Sequence, residues 1–346
     1  MGEQHLLSSG KLLDENGNLD EAGYAFSLVK EYRREDIKVR KGRIKEWDYY
    51  YVGNREWGLA FTIDDNGYMG MVSLSIIDLK NSTKVEKMKI IPFTYGKMKM
   101  PSTSQTGDVV YKDKDIEMQF LHEEGKRHIK CSWKAFGNNK EDFRADLYLS
   151  ETTGGNSMVI ATPFKKKGHF YYNQKINNLA SAGYFKLGDM QVDMGKDTCA
   201  VLDWGRGVWT YSNVWYWSSL NAVQDGHHIG WNLGYGFGDT SKASENMLFV
   251  DDKVYKLDDV VFEISQTEKG KDDFLKPWLF KSQDGSINIT FNPTFDRAGG
   301  ANLLILKSSQ HQLFGTFNGY IRLPNSNKTV EINDLPGFAE KCANRW

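Results

Sequence analysis

Apolar and polar residues alternate with a period of two through most of the chain, and turn residues interrupt the alternation at short intervals. A period of two puts successive side chains on opposite faces of a strand. Trp57 to Ile63 reads as one strand, Asp64-Asp65-Asn66-Gly67 as a turn, and Tyr68 to Leu79 as the returning strand. Asn-Gly between alternating runs is a strong hairpin signal, because both residues tolerate positive φ. The same order recurs at Gln224-Asp225-Gly226, between WYWSSLNAV and HHIGWNLGYGF, and at Gln283-Asp284-Gly285, between KPWLFK and SINITFNPTF. LFGTFNGYIRLPNSNKTVEI reads as a further hairpin. Repeated hairpins predict an all-β fold, two antiparallel β-barrels or sandwiches, rather than βαβ units. Helical signals are confined to Leu19 to Val29, capped by Asp20 or Asn18, and to Leu335 to Ala343, opened by Pro336.

A weak internal repeat sharpens the domain expectation. WGLAFTIDDNGYMGMVSLSII and WYWSSLNAVQDGHHIGWNLGYGF share an aromatic start, a strand, a turn ending in Gly and a strand with Gly soon after. Chance likeness of two hairpins is the alternative. The repeat reading divides the chain into an N-terminal extension with a short helix over 1–29, a first barrel-like domain over 30–165, and a second over 166–346 that carries the densest aromatic stretch. The chain has 346 residues, enough for two such cores.

Composition agrees and narrows the function classes. Aromatic residues make up 13% of the chain, and 33 Gly stand against 7 Pro, which suits strands joined by tight turns. A formal net charge of -1 offers no global field to nucleic acid or an anionic membrane. Cys131, Cys199 and Cys342 lie far apart with no CxxC or Cys/His metal spacing, so neither a disulfide framework nor a zinc site is expected. No apolar run approaches the roughly 18 residues of a membrane span, and the N-terminus lacks secretory and myristoylation signals. A cytoplasmic protein with no cofactor and no metal is the expectation; the sequence leaves its oligomeric state open. It holds no dinucleotide, P-loop or hydrolase-elbow motif.

Candidate chemistry concentrates between Asp203 and Asn246. Trp204, Trp209, Trp215, Trp217 and Trp231 fall there, five of the ten tryptophans. In HIGWNLGYGF one strand face carries Ile229, Trp231, Leu233, Tyr235 and Phe237, and the other His228, Gly230, Asn232, Gly234 and Gly236. A face nearly without side chains marks close approach, either of a neighbouring strand or of a ligand towards which Asn232 and His228 point. Asp203 and Arg206 flank Trp204-Gly205 and are expected to pair, either as a structural ion pair at a bend or as an acid set by its guanidinium partner. Asp239, Glu245 and Asn246 follow in FGDTSKASENM, read as a solvated loop with Asx turns or as a source of a second carboxylate. Gln310 or His311, in QHQLFGTFNGYI, is expected to reach the same cavity.

Several blocks together resemble one family. LDWGRGVWTY, WYW, GWNLGYGFGDTS followed by ASEN, SSQHQLFGTFNG and LPGFAEKCANRW, with RIKEWDYYYV and FYYNQKIN upstream, are similar to the bacterial family DUF 2804 and span nearly the whole chain. The resemblance implies a lipocalin-like fold, distantly related to carotenoid hydratases, tocopherol-cyclase-like proteins and lipocalin-like Diels–Alderases. It implies binding of a hydrophobic or partly hydrophobic small molecule, with proton-transfer chemistry such as hydration, isomerisation or cyclisation. On that reading Asp203, Arg206 and Glu245 are catalytic. Trp209, Tyr211, Trp215, Trp217, His228, Trp231, Asn232, Tyr235, Asp239, Asn246 and His311 bind the ligand. Two alternatives stand beside it: a carbohydrate-binding or glycan-active protein using Trp platforms and carboxylates, and a non-catalytic carrier.

Overall fold

A computed structural model describes residues 4–123, 125–302 and 307–345. It is nearly all β, with 60% strand and 2% helix, arranged as two curled half-barrel sheets. The local hairpins stand where the turn residues put them. Trp57–Asp65 pairs with Met69–Asp78 around Asn66-Gly67. Ser212–Gln224 pairs with His227–Tyr235, with Gln224 opposite His227 and both turn residues, Asp225 and Gly226, at positive φ. Trp278–Ser282 meets Ile287–Asn302, and Lys307–Arg322 meets Thr329–Arg345.

Among the described residues the first sheet has 13 strands. Its main path runs from the edge strand Thr83–Pro92 through Met69–Asp78, Trp57–Asp65, Ile44–Gly53, Cys199–Val208, Phe170–Leu187, Phe143–Ser150, Lys126–Trp133 and Ile116–Glu123 to the other edge, Val109–Lys112. Among the described residues the second sheet has nine strands, all of them from Ser212 onward, with Thr329–Arg345 inserted beside Ser212–Gln224. Each sheet curls around its own core. Tyr50, Phe61, Phe143, Phe185 and Trp204 fill the first, and Trp231, Trp278, Phe280, Phe291 and Phe317 the second. The outer faces of the sheets pack on each other through two smaller aromatic clusters, one holding Tyr51, Trp217, Phe314 and Phe338, the other Tyr171, Phe237 and Met247.

Three sequence expectations need correction. The segment 19–29 forms no helix; it carries the short strand Gly23–Ala25, which pairs with Met158–Pro163 and buries Ala25. The segment 335–343 lies inside the strand Thr329–Arg345, where burial of Leu335 and Ala339 on one core and of Phe338 on the inter-sheet side overrides the helix-start signal of Pro336. The sheets change over between Val208 and Ser212 rather than at 165/166, because Phe170–Leu187 and Cys199–Val208 pair with strands of the first sheet. Among the described residues no helix is long and apolar enough to cross a membrane.

Candidate functional site between the sheets

The strand Cys199–Val208 sorts its side chains by parity. Ala200, Leu202, Trp204 and Val208 enter the first core, while Val201 and Asp203 face the second sheet. Asp203 and Arg206 differ in parity and therefore do not pair. Arg206 is fully buried inside the first sheet, where it donates to Asp48 Oδ1 at 3.1 Å and to the carbonyls of Trp47, Pro101 and Gly205, with its guanidinium over the Trp204 ring. Asp203 pairs instead with its cross-strand neighbour Lys175, Oδ2 to Nζ 2.7 Å, and accepts from Asn173 Nδ2 at 2.7 Å. A three-residue offset puts side chains on opposite faces of a strand, so the nearest charge in sequence was the wrong partner.

Two cross-strand rows face each other across the seam. In the first sheet Tyr49, Asp203 and Lys175 lie side by side on adjacent strands. In the second, Gln312, Glu340, Trp217 and Gly234 do the same. Gly234 opens the space that the Glu245 carboxylate occupies: a Cβ there would stand 2.8 Å from Glu245 Oε1. Lys175 Nζ sits 4.0 Å from the Trp217 ring centroid, a cation–π contact that supplements its ion pair. Trp217 Nε1 donates to Asn232 Oδ1 at 2.7 Å, and Asn232 Nδ2 donates to Glu245 Oε2 at 3.1 Å. Trp215 Nε1 donates to Glu340 Oε1 at 2.8 Å; Gln312 Nε2 donates to Glu340 Oε2 at 3.3 Å, and Arg297 holds Gln312 from behind.

Three buried carboxyls, Asp203, Glu245 and Glu340, thus gather around the Lys175 ammonium. Burial pushes Glu245 and Glu340 above the ordinary carboxylate range. For Glu245 the Lys175 charge and the Asn232 hydrogen bond oppose that rise, and for Glu340 the Trp215 hydrogen bond and Lys175 do so. The negative charge of Asp203 adds to both rises. Burial likewise pushes Tyr49 to about 12 and Tyr171 well above its usual value. Both glutamates therefore resist ionisation, beside one ion pair and among indole rings. Asn173 Oδ1 is buried there without a hydrogen-bond partner.

An aromatic cluster leads from this group towards the surface. The rings of Trp209 and Trp215 lie 6.0 Å apart, both pack edge-on against Phe237, and Trp47 meets Trp209 at 5.1 Å. Trp47, Trp209 and Trp215 are half-buried, and Tyr211 beyond them is exposed. Of the residues singled out from sequence, Asp203, Glu245, Asn232, Trp215 and Trp217 meet at the seam, with Trp209 next to it. Trp231 and Tyr235 sit on the opposite face of their strand, in the second core; Trp231 packs on Phe317 and donates to Ser218 Oγ. His228 lies 3.9 Å from Cys199 Sγ. Asp239 is an exposed Asx-turn residue, and Asn246 caps backbone groups of Gly234 and Asp258. His311 pairs with Asp296 and stacks on Phe274, on the face opposite Gln312, so Gln312 reaches the seam and His311 does not. Lys175, Glu340, Tyr49, Gln312 and Asn173 were not singled out. The polar intrusions of FYYNQKIN and GFAEKCANRW into strand-like runs were the available signal. Among the described residues no three His, Cys, Asp or Glu side chains stand close enough to hold a metal ion.

The chain belongs to the family described as "Domain of unknown function (DUF2804)", whose model matches residues 3–346. No curated protein matches it. Solved structures share its fold at low identity. A protein provisionally designated AttH from Nitrosomonas europaea has 12% identity and a TM-score of 0.53, covering 91% of this chain and 98% of that one. Kievitone hydratase from Nectria haematococca has 11% identity and a TM-score of 0.52, covering 87% and 88%. CghA with Sch210972 has 8% identity and a TM-score of 0.51, covering 96% and 97%.

Proposed function

We propose that the inter-sheet seam binds a hydrophobic or partly hydrophobic small molecule and transfers a proton to it, in a hydration, isomerisation or cyclisation. The observation that carries this reading is the set of three buried carboxyls sharing the neighbourhood of one lysine beside Trp215 and Trp217. A carboxylic acid kept neutral by burial is a proton donor at neutral pH. Glu340 is the first choice for that donor, because Trp215 and Gln312 orient its two oxygens and Asp203 disfavours its ionisation. Protonation of an alkene leaves a carbocation, which the π-face of Trp215 and the Asp203 carboxylate stabilise. Water then adds, or a proton leaves, and the carboxylate recovers its proton. Kievitone hydratase having this fold supports the reading only at the level of architecture.

The test is turnover of a panel of alkene-bearing phenolics and terpenoids in D₂O, read by mass. A substrate should gain solvent deuterium with the parent chain. Glu340→Gln should remain folded and lose turnover by about 10²–10⁴-fold, the usual worth of a general acid. A folded Glu340→Gln protein with unchanged turnover moves the role to Glu245. Unchanged turnover in Glu340→Gln, Glu245→Gln and Asp203→Asn alike ends the proposal.

A further inference from the structure

A second candidate site lies far from these carboxyls in the fold, at the seam where the two edge strands of the first sheet approach each other. There a cleft of about 580 Å³ opens between Thr83–Pro92 and Val109–Lys112. At one end the seam is closed by side chains: Lys89 pairs with Asp113, and Lys87 donates to the Ala135 carbonyl. At the other end the segment 93–99 holds it open. The floor is apolar, since Ile91, Met98 and Tyr111 pack against the first core.

The wall is built against local preference. Phe93, Tyr95 and Lys99 have φ of 56°, 49° and 53°, and Gly96 has 95°. Left-handed backbone is unfavourable for residues bearing a Cβ, and such residues persist only where the surroundings impose them. Asp65, fully buried, imposes them here. Its carboxylate accepts from Thr94 Oγ1 at 2.9 Å, Gly96 N at 2.8 Å and Met98 N at 3.3 Å. The outcome is an exposed stacked pair, Phe93 and Tyr95, 63% and 45% accessible, beside a half-open apolar floor. The rim is basic. Lys97, Lys99 and Lys112 line it against one acid, Asp108, whose carboxylate already accepts from His122 N. Lys112 is held by Glu117, which leaves Lys97 and Lys99 as the charges offered to the cleft.

We propose that this cleft binds an amphipathic carboxylate: an apolar chain lies along Ile91, Met98 and Val110, and its carboxylate is held by Lys97 and Lys99. The volume falls in the usual range for small-molecule sites, roughly 300–1,000 Å³. The apolar floor supplies contact area and the lysines set the sign of the head group.

Calorimetric titration of the full chain with decanoate and with decyltrimethylammonium, both below micelle formation, tests it. Decanoate should bind saturably and the cation at least tenfold more weakly. Lys97→Glu/Lys99→Glu should weaken decanoate at least tenfold while the circular dichroism spectrum is unchanged. Filling the cleft with Val110→Trp should do the same, and Glu340→Gln should bind decanoate as the parent does. Equal binding of both head groups overturns the proposal, as does absence of saturable binding. Loss in Glu340→Gln without loss in the lysine variant places decanoate at the carboxyl seam and likewise overturns it. Sedimentation with phosphatidylserine vesicles separates a free carboxylate from a membrane surface; association with vesicles without decanoate binding would also sink the assignment.

Discussion

At the scale of single residues the seam is governed by Lys175. Its side chain is 4% exposed and that of Asp203 12%, so neither is well solvated and each depends on the other. Removing one member of such a pair leaves a buried charge without compensation, whereas replacing both with apolar groups is close to neutral. Lys175→Met should therefore cost about 3–5 kcal/mol of unfolding free energy in urea. Lys175→Met/Asp203→Leu should recover most of that loss. A single variant as stable as the parent would mean that the pair is solvated in solution and that the seam admits water freely. Arg206, by contrast, anchors the first core through carbonyl groups and Asp48 rather than acting at the seam.

At the scale of elements, two glycines separate turn chemistry from site chemistry. Gly226 sits in a hairpin turn at φ 82°, and a Cβ added there would meet nothing within 4 Å, so Gly226→Ala meets backbone strain alone. The expected loss is about 1–2 kcal/mol. Gly234 lies in regular strand, and a Cβ there would stand 2.8 Å from Glu245 Oε1 and 2.9 Å from the Tyr216 carbonyl. Gly234→Ala should displace the Glu245 carboxylate and cost about 1–3 kcal/mol through overpacking. Equilibrium denaturation of both, with turnover once a substrate is known, checks the contrast: loss of turnover is expected only for Gly234→Ala. The difference also shows what could be read from sequence. Hairpins such as 57–78 and 212–235 were legible because turn chemistry is local. The Gly-rich face of HIGWNLGYGF correctly signalled close approach, and Glu245 is the group that approaches Gly234. Pairing of Ile44–Gly53 with Cys199–Val208 was not legible, since it joins strands about 150 residues apart, and with it went the place of Tyr49 beside Asp203. The helix-start signal of Pro336 masks the strand that carries Glu340.

At the scale of the whole molecule, the two half-barrels meet across a seam whose charge balance should make stability depend on pH. Glu245 and Glu340 ordinarily titrate near 4.5, and both are raised in the folded chain, chiefly by burial. A carboxyl raised on folding binds its proton more tightly in the folded state. Its stabilising contribution is full below the unfolded value and is lost as pH rises through the folded one. Both groups should therefore reduce stability as pH climbs from about 4.5 towards neutrality. Glutamine keeps either site neutral at every pH. Glu340→Gln will carry an offset of its own, because its amide meets the Gln312 donor, but that offset does not vary with pH. The informative quantity is the variant's thermal midpoint minus the parent's, measured from about pH 4.5 to about pH 8. For both Glu245→Gln and Glu340→Gln that difference should move in the variant's favour as pH rises. The slopes of the single variants should not add in the double variant, because Asp203 and Lys175 couple both groups to one another. Flat differences across the range would mean that the carboxyls titrate normally. The seam would then hold ionised carboxylates rather than acids, and proton donation from Glu340 at neutral pH would lose its physical basis.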